Sequence, residues 1–124
     1  MNVVDSSAWL EYFADGPNAS FFAPAIERIA KLLVPTVCLL EVFKRVHQQR
    51  GEGPALQAVA LMQQGTVVDL DGTIALTAAR VSVELTLPMA DSVIFATAQH
   101  HRATVWTQDG DFEHLPGVRF AKRR

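Results

Sequence analysis

The sequence predicts an α/β fold built on a parallel β-sheet. Five short apolar runs have the length and composition of strands, at residues 2–5, 32–35, 66–70, 104–107 and 118–120. They lack strict alternation of polar and apolar residues, which is typical of strands covered on both faces. Segments with helical periodicity fill the intervals, and strands that alternate with helices favour a parallel sheet with right-handed crossovers.

The helices are predicted in pairs between the first four strands, and a short turn precedes the fifth. Two breaks that contain Gly and Pro, at residues 15–18 and 51–54, have the composition of helix–helix turns. The predicted helices span residues 7–14, 20–31, 37–50, 54–64, 73–85 and 90–101, and the predicted turn spans residues 112–115.

Composition limits the class of protein. The chain has 124 residues, of which 49% are hydrophobic and 19% are charged, so we expect residues 1–124 to fold as one domain with a buried core. No apolar run approaches the roughly 18 residues of a membrane span, and no basic segment precedes an apolar one at the N-terminus. The single cysteine, Cys38, excludes an internal disulfide and is expected to be a small buried hydrophobe. These features predict a cytoplasmic protein that does not span a membrane.

Five acidic residues lie at or near the ends of apolar runs, where they would add little stability to a soluble fold. They are Asp5, Glu41, Asp91, Asp109 and Asp111. Carboxylates resist burial unless they are paired or bind a cation. Ligands of open parallel sheets bind beyond the carboxyl ends of the strands, and the predicted topology brings all five residues to that edge. Carboxylates that converge there predict a site for a hard divalent metal ion.

Each of these residues also has a simpler interpretation. Glu41 and Arg45 have the i,i+4 spacing of an exposed ion pair worth about 0.3–0.5 kcal/mol. Asp91 opens a predicted helix, where an acidic residue complements the dipole or caps the backbone, and residues 109–111 have the composition of a turn. Because topology brings the carboxylates together, we favour the metal site, with Lys44 or Arg45 binding substrate phosphate.

The net charge of −2 does not exclude a nucleic-acid partner. When the five carboxylates are set apart, 11 basic residues remain against 8 acidic ones, so the rest of the surface is mildly basic. Residues 122–124 are all basic. They could contact phosphate, although a basic tail more often serves solubility.

Four pieces of the sequence together carry a family resemblance. They are Val3-Val4-Asp5-Ser6-Ser7, Glu41 early in the helix after the second strand, Ala90-Asp91-Ser92, and Thr107-Gln108-Asp109-Gly110-Asp111-Phe112. In order, spacing and total length they resemble a PIN domain, and specifically the VapC-type toxin ribonucleases. The resemblance spans nearly the whole chain.

The resemblance implies a three-layer α/β/α domain around a mostly parallel five-stranded sheet. It also implies an endoribonuclease that depends on Mg²⁺ or Mn²⁺, hydrolyses RNA with metal-activated water, forms a homodimer and is held inactive by a cognate VapB-like antitoxin protein. The residues that match the acidic quartet, and so imply catalytic and metal-binding roles, are Asp5, Glu41, Asp91 and Asp109. Positions implied to support the site are matched by Asp111, Ser6 and Thr107.

Two other functions remain open. The chain could be a PIN-fold nuclease that acts on DNA or structured RNA outside a toxin–antitoxin system. It could instead be a non-enzymatic α/β module that binds a metal or a partner, such as a receiver domain. Receivers are expected to carry an acidic pair after the first strand and a late lysine, whereas Asp5 has no acidic neighbour and no lysine lies between Lys44 and Lys122.

Overall fold

A computed structural model describes all residues, 1–124, and contains one five-stranded sheet. Every strand is parallel to its neighbours, in the order β3-β2-β1-β4-β5. The strands are β1 (Asn2–Val4), β2 (Leu32–Pro35), β3 (Thr66–Val68), β4 (Thr104–Thr107) and β5 (Val118–Phe120).

Six α-helices connect the strands and cover the sheet as outer layers. Both α2 and α6 pack against the central strand β1 and its neighbour β4. The helices are α1 (Ser6–Phe13), α2 (Ala19–Glu27), α3 (Thr36–Arg50), α4 (Glu52–Met62), α5 (Gly72–Leu85) and α6 (Met89–His100). Two 3₁₀ turns span Ile29–Lys31 and Gly110–Phe112.

The predicted fold class is confirmed, with a sheet that is parallel throughout rather than mostly parallel. Val3, Val4 and Val34 are fully buried, as expected for central strands with helices on both faces. The strand order differs from the 2-1-3-4-5 order of receiver-type folds. A receiver domain is therefore excluded by topology.

Several element boundaries differ from the prediction, and local backbone geometry or a capping contact explains two of them. The helix predicted to reach residue 31 ends at Glu27, because Arg28 leaves helical geometry at φ −84° and ψ 71°. The turn predicted at residues 112–115 starts at Gly110, where the Asp109 side chain accepts a hydrogen bond from the backbone of the turn. The edge strand β3 is shorter than predicted, and Thr66 is exposed rather than covered.

Two further expectations concern the interior and the membrane. Cys38 is fully buried in the main core, as predicted, and burial raises the pKa of its thiol. No single helix has both the length and the apolar composition needed to cross a membrane. The pair α5 and α6 passes that test only when taken together, across a bend of 117°.

Candidate active site

The carboxyl ends of the central strands meet at one acidic pocket of about 540 Å³. The register aligns Val4 at the end of β1 with Trp106 near the end of β4, so the residues that follow these strands emerge side by side. Four carboxylates from four different elements line the pocket: Asp5, Glu41, Asp91 and Asp109. The convergence expected from topology is therefore present, although these residues are up to about a hundred positions apart in the sequence.

Asp5 is the most buried of the four, with 2% of its surface exposed. It caps α1: its Oδ1 accepts hydrogen bonds from the Ala8 N–H at 3.1 Å and from the Ser7 hydroxyl at 2.8 Å. Burial raises the pKa of Asp5 from 3.8 to about 6, even though these hydrogen bonds oppose the shift. Because this carboxyl group is buried but accepts hydrogen bonds, a nearby cation would favour its charged form.

Glu41 lies in the second turn of α3 and is oriented by a hydroxyl rather than by a basic neighbour. The Ser6 Oγ donates to its Oε1 at 2.6 Å. The ion pair with Arg45 that the helical spacing allowed does not form. The predicted supporting residue Ser6 thus fixes the direction of the Glu41 carboxylate.

Asp109 is held in place by the end of β4 and by the turn that follows it. Its N–H donates to the Thr107 Oγ1 at 2.9 Å, and its Oδ1 accepts from the Asp111 N–H at 2.9 Å. The nearby Thr107 hydroxyl also lowers the pKa of Asp5. Thr107, which was predicted to support the site, therefore orients the backbone of Asp109 and lies close to Asp5.

Asp91 stands in the first turn of α6 and experiences the charge of the whole cluster. Its pKa is raised from 3.8 to about 7, mainly by partial burial. Nearby carboxylates also raise the pKa, and Asp109 makes the largest contribution among them. Carboxylate oxygens of Asp91, Asp109 and Asp111 all lie within 4.8 Å of one another. The structure thus groups Asp111 with two of the predicted ligands, while Asp5 and Glu41 line the same pocket outside this group.

The donor set fits a hard divalent cation. All of the converging ligands are carboxylate oxygens, which Mg²⁺ and Mn²⁺ prefer, and no histidine or thiol lines the pocket. Burial is the main cause of the raised pKa values of Asp5 and Asp91, and repulsion by neighbouring carboxylates adds to it. A cation would relieve this repulsion and hold the acids in their charged form.

A basic and polar wall completes the pocket. Lys44, Arg45 and Gln48 line it from successive turns of α3, and Lys44 and Arg45 are exposed. Leu40, 66% exposed, lies at the same opening. The pocket therefore combines a carboxylate cluster with cations that could bind an anionic ligand.

The sequence prediction missed two buried amides beside the site. Asn18 and Gln108 are 3% and 4% exposed, and the Asn18 Nδ2 donates to the Gln108 Oε1 at 3.0 Å. Gln108 stands between Thr107 and Asp109 in the sequence. Its position in an otherwise matching motif was the only available signal, and nothing in the sequence indicated Asn18 as its partner.

The PIN domain family matches residues 3–118. This chain belongs to the PIN domain family. That match covers almost the whole sequence, and it agrees with the strand order and with the acidic edge described above. No curated protein matches this PIN domain.

Solved structures share the fold of this PIN domain along almost their full length. A toxin–antitoxin complex from Klebsiella pneumoniae contains a chain that is 23% identical, with 96% of each chain covered and a TM-score of 0.79. The sarcin–ricin-loop-cleaving toxin VapC20 of Mycobacterium tuberculosis is 17% identical, with 95% of this chain and 97% of that chain covered and a TM-score of 0.79. A DNA-bound VapBC complex from Salmonella typhimurium has a chain 16% identical, with 98% and 96% covered and a TM-score of 0.75.

Proposed function

We propose that this PIN domain is a metal-dependent endoribonuclease and the toxin of a VapBC-type toxin–antitoxin module. The observation that carries the proposal is the convergence of carboxylates from β1, α3, α6 and the β4 exit on one pocket. A partly buried cluster of like charges is costly unless it serves a cation or a reaction. The fold is shared with a chain of a toxin–antitoxin complex and with a toxin named for cleaving the sarcin–ricin loop, which supports the choice of RNA as substrate.

Mg²⁺ is the proposed cofactor, with Mn²⁺ as its substitute. Asp91, Asp109 and Asp111 would hold the ion through grouped oxygens, and Asp5 and Glu41 would complete the acidic environment. When bound, a divalent cation supplies Lewis acidity, which offsets charge on the scissile phosphate and makes water a better nucleophile.

The chain's own residues orient the substrate and the acids. Lys44 and Arg45 lie on the pocket wall, where they would bind phosphate groups of the RNA and set its position relative to the acidic cluster. Ser6 donates to the Glu41 carboxylate, Thr107 accepts from the Asp109 backbone N–H, and the Asp109 carboxylate accepts from the Asp111 N–H, so both acidic residues are oriented before substrate binds. A preorganised site of this kind avoids reorganisation during the reaction.

We further propose that residues 1–124 form a single PIN domain that acts in the cytoplasm as a homodimer. A chain with one buried thiol and no disulfide suits a reducing compartment. The proposed partner is a VapB-like antitoxin, because related folds occur in complexes with antitoxins. Growth arrest on expression, relieved by the antitoxin gene, would support this; arrest-free expression of an active nuclease would favour a PIN nuclease outside such a system.

The enzymatic proposal is tested by RNA cleavage with purified protein. We expect wild-type cleavage that needs Mg²⁺ or Mn²⁺ and stops with EDTA, and loss of at least about a hundredfold in Asp5→Asn and Asp91→Asn. Glu84→Gln is the matched control, since Glu84 is an exposed carboxylate on α5 outside the pocket. Circular dichroism establishes that each variant is folded. Cleavage at the wild-type rate by both aspartate variants would overturn the assignment.

A further inference from the structure

We propose that Asn18 and Gln108 are positioning residues of the metal site. They act as a buried amide pair that fixes the backbone immediately after β4, which carries Asp109. The inference rests on the proposed function, because its consequence is a change in how the acidic residues hold a cation. The pair joins three segments that are distant in sequence: the turn before α2, the end of β4 and residues 121–124.

The Asn18 side chain uses most of its hydrogen-bonding capacity. Its Nδ2 donates to the Gln108 Oε1 and to the Lys122 carbonyl, both at 3.0 Å. Its Oδ1 accepts from the Arg124 Nε at 3.0 Å, and the Arg124 Nη2 donates to the Pro17 carbonyl at 2.7 Å. The C-terminal segment is therefore clamped against the turn before α2.

The helix-capping role that is usual for its position does not explain the burial of Asn18. It occupies the N-cap position of α2, where an asparagine side chain normally accepts a hydrogen bond from the first turn. Its side chain makes no such bond and is directed at Gln108 instead. Burying two amides stabilises a fold little in net terms, even when they are paired. The pair is better explained by the specific geometry that it imposes.

Gln108 connects this clamp to the two segments that carry Asp5 and Asp109. It lies between Thr107 and Asp109, and its Nε2 is 3.5 Å from the Ser7 carbonyl. The Ser7 hydroxyl in turn donates to Asp5. On the strand side, the Ala121 N–H donates to the Thr107 carbonyl at 3.0 Å. The backbone that delivers Asp109 is thus held from one side by the C-terminal segment and from the other by the amide pair.

Loss of the pair should loosen the β4 exit and widen the spread of carboxylate positions. Groups that orient metal ligands from behind typically change metal affinity by about 10–100-fold when removed. Because the pair acts through the backbone of Asp109 rather than on its carboxylate, we expect about tenfold weaker Mn²⁺ binding in Asn18→Ala and in Gln108→Ala, the lower end of that range.

The test is calorimetric titration of Mn²⁺ into the full chain without RNA, on both single variants and the double variant. If the residues act as one unit, the double variant binds Mn²⁺ no more weakly than either single variant. Asn2→Ala is the matched control: the Asn2 side chain accepts a hydrogen bond from the Trp106 Nε1 of β4 at 2.9 Å, away from the acidic pocket. We expect this control to bind Mn²⁺ like the wild type while losing comparable thermal stability.

Arg124→Ala keeps the test decisive if removal of a buried amide prevents folding. Arg124 is exposed, and its truncation removes only the two outer bonds of the clamp, to the Asn18 Oδ1 and the Pro17 carbonyl, so we expect folded protein with about threefold weaker Mn²⁺ binding. Two results would overturn the positioning role. One is equal Mn²⁺ affinity of Arg124→Ala and the wild type. The other is a loss of Mn²⁺ affinity in Asn2→Ala as large as that in Asn18→Ala. Absence of Mn²⁺ binding by the wild type would instead refute the proposed function.

Discussion

Replacing Asp91 by asparagine should stabilise the metal-free protein at neutral and alkaline pH. The Asp91 carboxyl has its pKa raised from 3.8 to about 7 by burial and by neighbouring carboxylates. Between those two pH values the folded protein binds more protons than the unfolded chain, so stability falls as pH rises through this window. Above it, the folded wild type carries the full cost of the ionised group, and an uncharged amide of the same shape avoids that cost.

The size of the effect follows from the shift. A difference of about three pKa units corresponds to about 4 kcal/mol at about 1.36 kcal/mol per unit. Because Asp91 is partly exposed to solvent, screening reduces this figure, and we take about 2 kcal/mol at pH 8. At pH 5 most of the folded molecules are already protonated at Asp91, so the advantage of the amide falls to about 1 kcal/mol.

Urea denaturation in EDTA at pH 5 and pH 8 measures both values. The control, Glu84→Gln, should show no pH-dependent difference from the wild type, since Glu84 lies outside the cluster on α5. Added Mg²⁺ at pH 8 should reverse the ranking, because a ligand that binds only the folded state stabilises it, and the asparagine variant binds the ion less well.

Two results would refute this reasoning. A variant that is less stable than the wild type at pH 8 without metal would show that the Asp91 charge is already compensated within the folded protein. An advantage that does not change between pH 5 and pH 8 would show that packing, and not ionisation, separates the two proteins.

Three further predictions test single contacts. Ser6→Ala removes the hydroxyl that donates to Glu41, so we expect a loss of about 1 kcal/mol in urea denaturation and a higher Mn²⁺ requirement for cleavage; an unchanged requirement would contradict the role of this bond. Asp111→Asn removes one of three grouped carboxylates, and we expect about tenfold or greater weakening of Mn²⁺ binding by calorimetry, whereas an unchanged affinity would leave Asp111 a merely supporting residue. The thiol of Cys38 is buried with a raised pKa, so an aromatic disulfide reagent should react with it in urea but not in the native protein; rapid native labelling would contradict its burial.

The fold could be predicted from the sequence because periodicity and chain order carry most of its information. Central strands rich in valine and leucine have few alternatives to burial between helices. The ends of helices and strands were harder to predict, because they depend on individual side chains that accept hydrogen bonds from the backbone. Asp71 accepts from the Ile74 N–H and starts α5, and Asp109 starts the last turn in the same way. Each contact moves a boundary by a few residues without changing the topology.

The sequence predicted at which edge of the sheet the site lies, but not the distances between its side chains. Topology alone brought the acidic residues to the carboxyl end of the sheet. The grouping of Asp111 with Asp91 depends on the tight turn in which the Asp109 side chain binds the Asp111 N–H. The pairing of Asn18 with Gln108 spans 90 positions and follows no periodic pattern. Contacts of this kind arise only from the packed structure.

The fold can hold several carboxylates together because it places three of them at helix N-termini. Asp5 caps α1, Asp91 lies in the first turn of α6, and Asp109 caps a 3₁₀ turn. The free N–H groups at an α-helix N-terminus favour an adjacent negative charge by about 0.3–1 kcal/mol. This compensation is smaller than the cost of about 2 kcal/mol that the raised pKa of Asp91 indicates. A divalent cation that binds the cluster would offset the part of this cost that the helix N-termini leave uncompensated. The pH dependence of metal-free stability and the affinity for metal should therefore change together in every variant of the cluster.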